Sequence, residues 1–311
     1  MYTLLKYILS GETVMNIKYF LDKKFKLMSA IITIFIISVA FMTMPLCYQI
    51  ISKPCSSENC EIKLPVLMYH FIADNKTPIT NKFTISEKDF ENDLKYIVEN
   101  GYTTIFVQDL IDFVENRKEL PPKPIMLTFD DGAYNNYLYA FPLAKKYNAK
   151  FVFSPIVSES EKYTKFNDEN PKYSHATMSE ISEMHSSGLV EIQNHTYKLH
   201  GNEKGRKGCS KKRGETNREY EKILTDDINK SQIFINQCIG KNTNAFFYPL
   251  GAFSDTSDDI LKSLGFKATF TCESRVNKIS KNPNCLFKLG RFLRPPNISS
   301  ETFFSKIEKH L

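Results

Sequence analysis

The sequence predicts an α/β fold with a mostly parallel sheet, preceded by one N-terminal transmembrane helix. Three observations carry that expectation. An uncharged apolar run lies near the N-terminus. Short β-type segments then alternate with helix-type segments over about 250 residues. Polar residues gather just after several of the β-type segments.

The apolar run comes first. No charged residue occurs from Leu27 to Ser52, and residues 27–46 are long enough to span a bilayer as a helix. Lys18, Lys23, Lys24 and Lys26 precede it, and only Lys53 follows closely. Positive charge stays inside, so the N-terminus is expected in the cytoplasm and the rest outside. This divides the chain into a basic segment (1–26), a signal-anchor helix (27–48), an extracytoplasmic stalk (49–62) and a main domain (63–311). Cleavage after Ser38-Val39-Ala40, giving a secreted protein, is the alternative, and Met15 is a second plausible start.

Composition narrows the class. Hydrophobic residues make up 42% of 311 and charged residues 24%, with 12 Gly and 14 Pro, which excludes disordered and collagenous chains. Of the net charge of +6, Lys6, Lys18, Lys23, Lys24 and Lys26 against Glu12 and Asp22 supply +3 before residue 27. A nucleic-acid partner is therefore not expected. Outside the cell Cys55 with Cys60, or Cys272 with Cys285, could pair, and an odd count of seven leaves a thiol free.

The β-type segments are 65–69, 103–106, 125–129, 150–153, 190–193, 245–248, 268–271 and 286–289. Helices are expected from Ser86 to before Gly101, from Thr177 to about Gly188, over 219–239, over 255–264 and over 300–310. Capping residues at their starts and glycines at their ends support these bounds.

Chemistry falls at strand ends. Segment 125–129 runs into Asp130-Asp131-Gly132, 190–193 into Asn194-His195, 65–68 into Tyr69-His70, and 245–247 into Tyr248-Pro249-Leu250-Gly251. In a βα barrel that end of the strands is where active sites collect. Adjacent strand residues face opposite ways, so Asp130 and Asp131 suit two jobs, a metal ligand and a separate proton acceptor. A plain turn with a helix cap is the alternative. His195 and His200 lie five apart, about 140° on a helix, so they would converge only from a loop. Two imidazoles and a carboxylate leave positions open, as in catalytic metal sites, unless both histidines are simply solvated.

Leu127-Thr128-Phe129-Asp130-Asp131-Gly132 resembles the first signature of the NodB-type polysaccharide deacetylases, the metal-dependent carbohydrate esterases of family four. His195-Thr196 with His200 resembles the second signature. The stretch NHTYKLHG (194–201), with Pro65-Val66-Leu67-Met68-Tyr69-His70, resembles the branch that deacetylates poly-N-acetylglucosamine. The likeness covers residues 63–295 and implies a distorted (β/α) barrel. It implies that Asp131, His195 and His200 hold a divalent metal, Zn²⁺ by preference. Asp130 would be the general base and His70 the general acid, and the backbone N–H of Leu250 would stabilise the oxyanion.

Two departures from the family pattern stand out. Phe247 occupies the place of an arginine that positions the base, and Lys288-Leu289-Gly290-Arg291 replaces a late Leu-x-His. Leu250 also replaces the usual tyrosine. The expected activity is N-deacetylation of an N-acetylglucosamine polymer at the cell surface. The alternatives are peptidoglycan or chitooligosaccharide as substrate, or a catalytically silent carbohydrate-binding relative. With 24 Phe and no Trp, sugar stacking would fall to Tyr or Phe. The basic run 204–213 reads as a solvated loop before an anionic-polymer contact. His175, His185 and His310 read as structural or solvated. Arg291, Arg294 and Tyr69 lie within possible reach of the site. No glycine-rich phosphate loop or haem motif is present.

Overall fold

The computed structural model describes residues 19, 23–29, 31–33, 61–77, 81–203 and 205–311. The chain divides into two compact units, Met1–Cys55 and Ser56–Leu311. The described residues of the first unit are helical. Most of the expected 27–48 span, and the stalk up to residue 60, lie outside the described residues. Among the described residues no helix is long and apolar enough to cross a membrane.

The second unit is built around parallel strands β1 (Val66–Tyr69), β2 (Pro124–Asp131), β3 (Phe151–Pro155), β4 (Val190–Ile192), β5 (Ala245–Phe247), β6 (Ala268–Phe270) and β7 (Phe292–Leu293). Ladders join β7 to β1, β1 to β2, β2 to β3, β3 to β4, and β5 to β6. Two single parallel bridges complete the circuit, Asn194 to Phe246 beyond β4 and Phe270 to Leu289 before β7. The sheet therefore closes on itself as a distorted barrel. Single bridges at those two places make it irregular.

Among the described residues of this unit eight α-helices accompany the strands: α1 (Glu87–Glu99), α2 (Val107–Val114), α3 (Phe141–Tyr147), α4 (Val157–Phe166), α5 (Met178–Ser186), α6 (Asn217–Ile239), α7 (Ser257–Ser263) and α8 (Ser300–Glu308). Their ends follow capping chemistry. Ser86 accepts from the Asp89 N–H, and Thr177 with Glu180, like Thr216 with Glu219, forms a reciprocal box. Gly240 ends α6 at φ 72°, in the left-handed region.

The period of two along each strand decides what faces the barrel interior. On β2, Ile125, Leu127 and Phe129 pack in the core shared with α1, α3 and α5. Met126 belongs to a second core with Val66, Val152, Phe247 and Phe270, into which α2 sends Leu110, Ile111 and Val114. The same parity aligns Met126, Thr128 and Asp130 on one face of β2, and Glu191, Gln193 and His195 along β4 and its continuation. Toward the end where β2 and β4 finish that face is polar, with Thr128, Asp130, Gln193 and His195 all buried.

Several expectations are corrected. Segment 103–106 is a strand only at Thr103–Thr104, because Val107 already starts α2. Segment 286–289 is not a strand. Pro283–Leu286 is a 3₁₀ turn, Lys288 has φ 59°, and only Leu289 bridges before β7. Cys272 and Cys285 are free thiols. Cys285 turns its sulfur to the Ser280 carbonyl at 3.5 Å, whereas Cys272 lies beside Gly251 and Arg291. Cys55 and Cys60 lie outside the described residues.

Candidate active site

Asp130 and Asp131 end β2 but do not point the same way. Asp131 takes φ 67° and Gly132 φ 79°, so the chain turns sharply as the strand leaves the barrel. Gly132 is required there, since a Cβ would lie 2.7 Å from Pro155 Cβ. The turn leaves Asp130 on the inward face and swings Asp131 toward the loop after β4.

Arg291 grips Asp130. Its Nη1 donates to Oδ1 and its Nη2 to Oδ2, both at 2.7 Å, and Ser154 Oγ donates to Oδ1 at 3.0 Å. The guanidinium is itself anchored, with Nε donating to the Thr271 carbonyl at 2.9 Å and the cation 5.0 Å from the Phe247 ring centroid. Burial by itself would raise the Asp130 carboxyl, but Arg291, and then His195, hold it down to about 2. Asp130 is therefore a carboxylate able to accept a proton.

Asp131, His195 and His200 form the second cluster. Their ligand atoms all lie within 4.8 Å of one another. Nε2 of His200 is 2.9 Å from Asp131 Oδ1, and Nε2 of His195 is 3.4 Å from it. His195 Nδ1 lies 2.8 Å from the Phe247 carbonyl, which can only accept, so that nitrogen carries the proton and Nε2 presents its lone pair. Asp131 Oδ1 is buried, yet despite the short contact it receives no well-directed hydrogen bond. Lone pairs turned inward on a nitrogen, nitrogen, oxygen donor set are what a divalent cation requires. The residues fit such an ion.

Supporting contacts hold these ligands. His175 Nδ1 donates to the Asp131 carbonyl at 2.9 Å, and its ring stacks on Tyr163. Asp227 on α6 accepts from the N–H groups of Tyr197 at 2.8 Å and Lys198 at 2.9 Å. Asn194 Oδ1 accepts from the Thr196 N–H, and its Nδ2 donates to Ser231 at 2.6 Å. Helix α6 thus pins the loop that carries both histidines.

His70 follows β1. Its carbonyl accepts from Asn136 Nδ2 at 2.9 Å, its ring packs 5.0 Å from Phe83, and its Nδ1 is buried with no partner. Burial lowers its pKa, while the fields of Asp130 and Asp131 partly restore it. Leu250 sits in the Pro249–Gly251 turn after β5 at φ 57° and ψ 14°, with its side chain 47% exposed. The turn is hemmed in on both sides. A Cβ on Gly251 would lie 2.9 Å from Cys272, and one on Gly208 would lie 2.5 Å from the Pro249 carbonyl.

Comparison with known proteins gives this arrangement its family. Residues 117–269 match the family described as polysaccharide deacetylase. A de-N-acetylase structure from Aggregatibacter actinomycetemcomitans is 30% identical and superposes with a TM-score of 0.67 over 80% of this chain and 100% of that one. The chain belongs to the polysaccharide deacetylase family. IcaB from Ammonifex degensii is 29% identical, with a TM-score of 0.62 over 75% of this chain and 91% of that one. Poly-beta-1,6-N-acetyl-D-glucosamine N-deacetylase of Escherichia coli O157:H7 is 28% identical over 230 residues, 68% of this chain. The match spans 34% of that relative's own length.

Within this polysaccharide deacetylase the sequence marked Arg291 only as within reach. Phe247, standing where an arginine was expected, was the available signal that the partner of Asp130 must come from another strand. His175 read as structural or solvated, and Asp227 drew no notice, because both act on backbone groups that a sequence does not display. The basic run 204–213 loses one member, since Arg206 is buried in a pair with Glu215. Lys204 lies outside the described residues.

Proposed function

We propose that the enzyme removes N-acetyl groups from poly-N-acetylglucosamine at the outer face of the cell membrane, anchored by residues 27–48. The observation that carries the reading is the pairing of two separate devices at one barrel end, an Arg291-held carboxylate and an Asp131–His195–His200 donor set. When bound, a divalent ion supplies a Lewis acid and lowers the pKa of water. Asp130 accepts the proton of the attacking water, and Arg291 keeps that carboxylate aimed and ionised. The N–H of Leu250 donates to the oxygen that gains charge when the amide is attacked. His70 gives its proton to the departing amine; burial lowers its pKa, and the fields of Asp130 and Asp131 offset that only in part.

The substrate part of the reading is supported by the name of a relative of 28% identity and by the resemblance of the segment ending in His70. The test uses the full chain, stripped of metal and reloaded with Zn²⁺. Acetate release is measured on poly-N-acetylglucosamine, chitooligosaccharide and peptidoglycan. Release from the first, lost on stripping and restored by metal, is expected. Release only from peptidoglycan or chitooligosaccharide would reassign the substrate, and none from any polymer would end the enzymatic reading.

A further inference from the structure

We infer that Asn136 is a positioning residue for the general acid: its carboxamide oxygen takes the Nδ1–H of His70, leaving Nε2 as the nitrogen that faces the departing amine. The inference rests on the deacetylase reading above, in which His70 is that acid.

The observation behind it is a pair of unmatched atoms on two residues already joined. Asn136 Nδ2 donates to the His70 carbonyl at 2.9 Å. A carbonyl can only accept, so this bond fixes which end of the amide is nitrogen and leaves Oδ1 as the spare end. That oxygen is buried with no hydrogen-bond partner among the described residues, on a residue that is 0% exposed. His70 Nδ1 is buried and unpartnered as well. Buried polar atoms nearly always have partners. An orphaned ring nitrogen and an orphaned amide oxygen on linked residues are the two halves of one hydrogen bond. Bonds to a catalytic group are often open in the unliganded enzyme and tighten with substrate. A turn of the ring, or one bridging water, closes this one.

The local backbone supports a dedicated role. Asn135, one residue earlier, has both ends of its amide in use. Its Oδ1 accepts from the Ile72 N–H at 3.1 Å, and its Nδ2 donates to the Pro171 carbonyl at 3.0 Å. The two asparagines hold the chain on either side of Phe71, but only Asn136 keeps an end in reserve. Asn136 also opens the widened turn Asn136–Ala140, a π-type turn of the kind that is rare and often found at functional sites.

The chemistry calls for such a partner. An imidazole that donates from Nε2 needs its other nitrogen held, and after the transfer the neutral ring keeps its proton on Nδ1. An acceptor at Nδ1 also favours the charged ring, which burial opposes. Of the charged and titratable groups around it, Asp130 and Asp131 from β2 favour that form, while Arg291 beside β7 and His195 after β4 disfavour it. None of the four is hydrogen-bonded to Nδ1, which leaves the aim of the ring to Asn136.

Two substitutions separate this role from plain support of the chain. Asn136→Ala and Asn136→Asp both delete the bond to the His70 carbonyl, but only the aspartate keeps an acceptor for Nδ1–H. The basic limb of kcat/KM for acetate release from poly-N-acetylglucosamine reports the protonated acid. In Asn136→Ala that limb should move to lower pH, with kcat down about tenfold, and in Asn136→Asp it should move to higher pH. Equal effects in the two variants, or no shift in either, would overturn the inference. Nitrogen NMR of the metal-stripped full chain, with the His70 signals assigned by their loss in His70→Gln, reads the tautomer and does not depend on either Asn136 variant folding. The neutral wild-type ring is expected to carry its proton on Nδ1, and the Asn136→Ala ring to shift toward Nε2. A wild-type ring protonated at Nε2 would overturn the inference. The expected NMR result, with no acetate released by any protein, would keep Asn136 as the residue that orients the ring and sink the deacetylase reading instead.

Discussion

Arg291 and Asp130 form a two-pronged ion pair in which both contacts are 2.7 Å and the side chains are 0% and 2% exposed. A buried pair of this kind contributes little net stability compared with apolar packing, but removing one partner strands the other's charge. Its value here is positional, because it fixes the orientation and charge of the carboxylate proposed above as the proton acceptor.

Arg291→Met is therefore expected to lower unfolding free energy by about 3–5 kcal/mol, with acetate release falling at least as far as in Asp130→Asn. The double variant Asp130→Asn/Arg291→Met should recover much of that stability, since no uncompensated charge remains. Chemical denaturation of the four proteins gives the coupling energy directly. Additive losses in the double variant would mean that the pair is not the unit described here.

Metal should stabilise the fold through the same end of the barrel. At a free Zn²⁺ concentration a hundred times the dissociation constant, unfolding free energy should rise by about 2.7 kcal/mol. His200→Ala should abolish most of that rise. Asp227→Ala removes no ligand, yet it frees the N–H groups of Tyr197 and Lys198 and is expected to weaken metal binding at least tenfold. Competition with a chelator measures both variants, and an unchanged affinity in Asp227→Ala would remove the loop from the account of the site.

How much of this could be read beforehand depends on the kind of contact. Strand ends carrying Asp130, His195, His70 and Leu250 were legible because short apolar runs break at polar residues. Long helices with capping residues, such as α6, were legible for the same local reason. Helices α2, α3 and α4 were not. Val107 begins α2 directly after a two-residue strand, and α3 is entered through a widened helical turn at Asn136–Ala140 rather than through a capping residue. The pairing of Arg291 with Asp130 spans 161 residues and depends on barrel closure, which no local pattern encodes. The left-handed backbone at Asp131, Thr196 and Leu250 was equally hidden, because none of these residues is glycine.

Leu250 allows main chain to be separated from side chain. A leucine at φ 57° costs about 1–2 kcal/mol, and alanine there costs about the same. Leu250→Ala trims only a half-exposed side chain, so stability should change by less than about 0.5 kcal/mol. If the amide is the working donor, kcat should stay within about threefold while KM for the polymer rises. Leu250→Gly relieves the strain but adds freedom to the unfolded chain, and the two effects nearly cancel. A hundredfold fall in kcat for Leu250→Ala, with the fold intact by thermal melting, would transfer the role from backbone to side chain.

At the opposite end of β4, Glu191 gives the fold a pH signature independent of catalysis. Its carboxyl accepts from the N–H of Val107 at 2.7 Å and of Gln108 at 3.1 Å, where α2 begins. Burial pushes it up to about 7, because the two N–H donors only partly offset lost hydration. An acid whose pKa is raised on folding stabilises the native state most below its unfolded value of about 4.5. That contribution is lost as pH climbs through about 7, and the whole span is worth about 3 kcal/mol. Glu191→Gln cannot ionise, so its stability should lack this decline. Unfolding free energies measured from pH 4.5 to 8 should show the wild type losing ground to the variant by about that amount. Parallel curves across the range would mean that Glu191 stays ionised, with the N terminus of α2 compensating its charge in full.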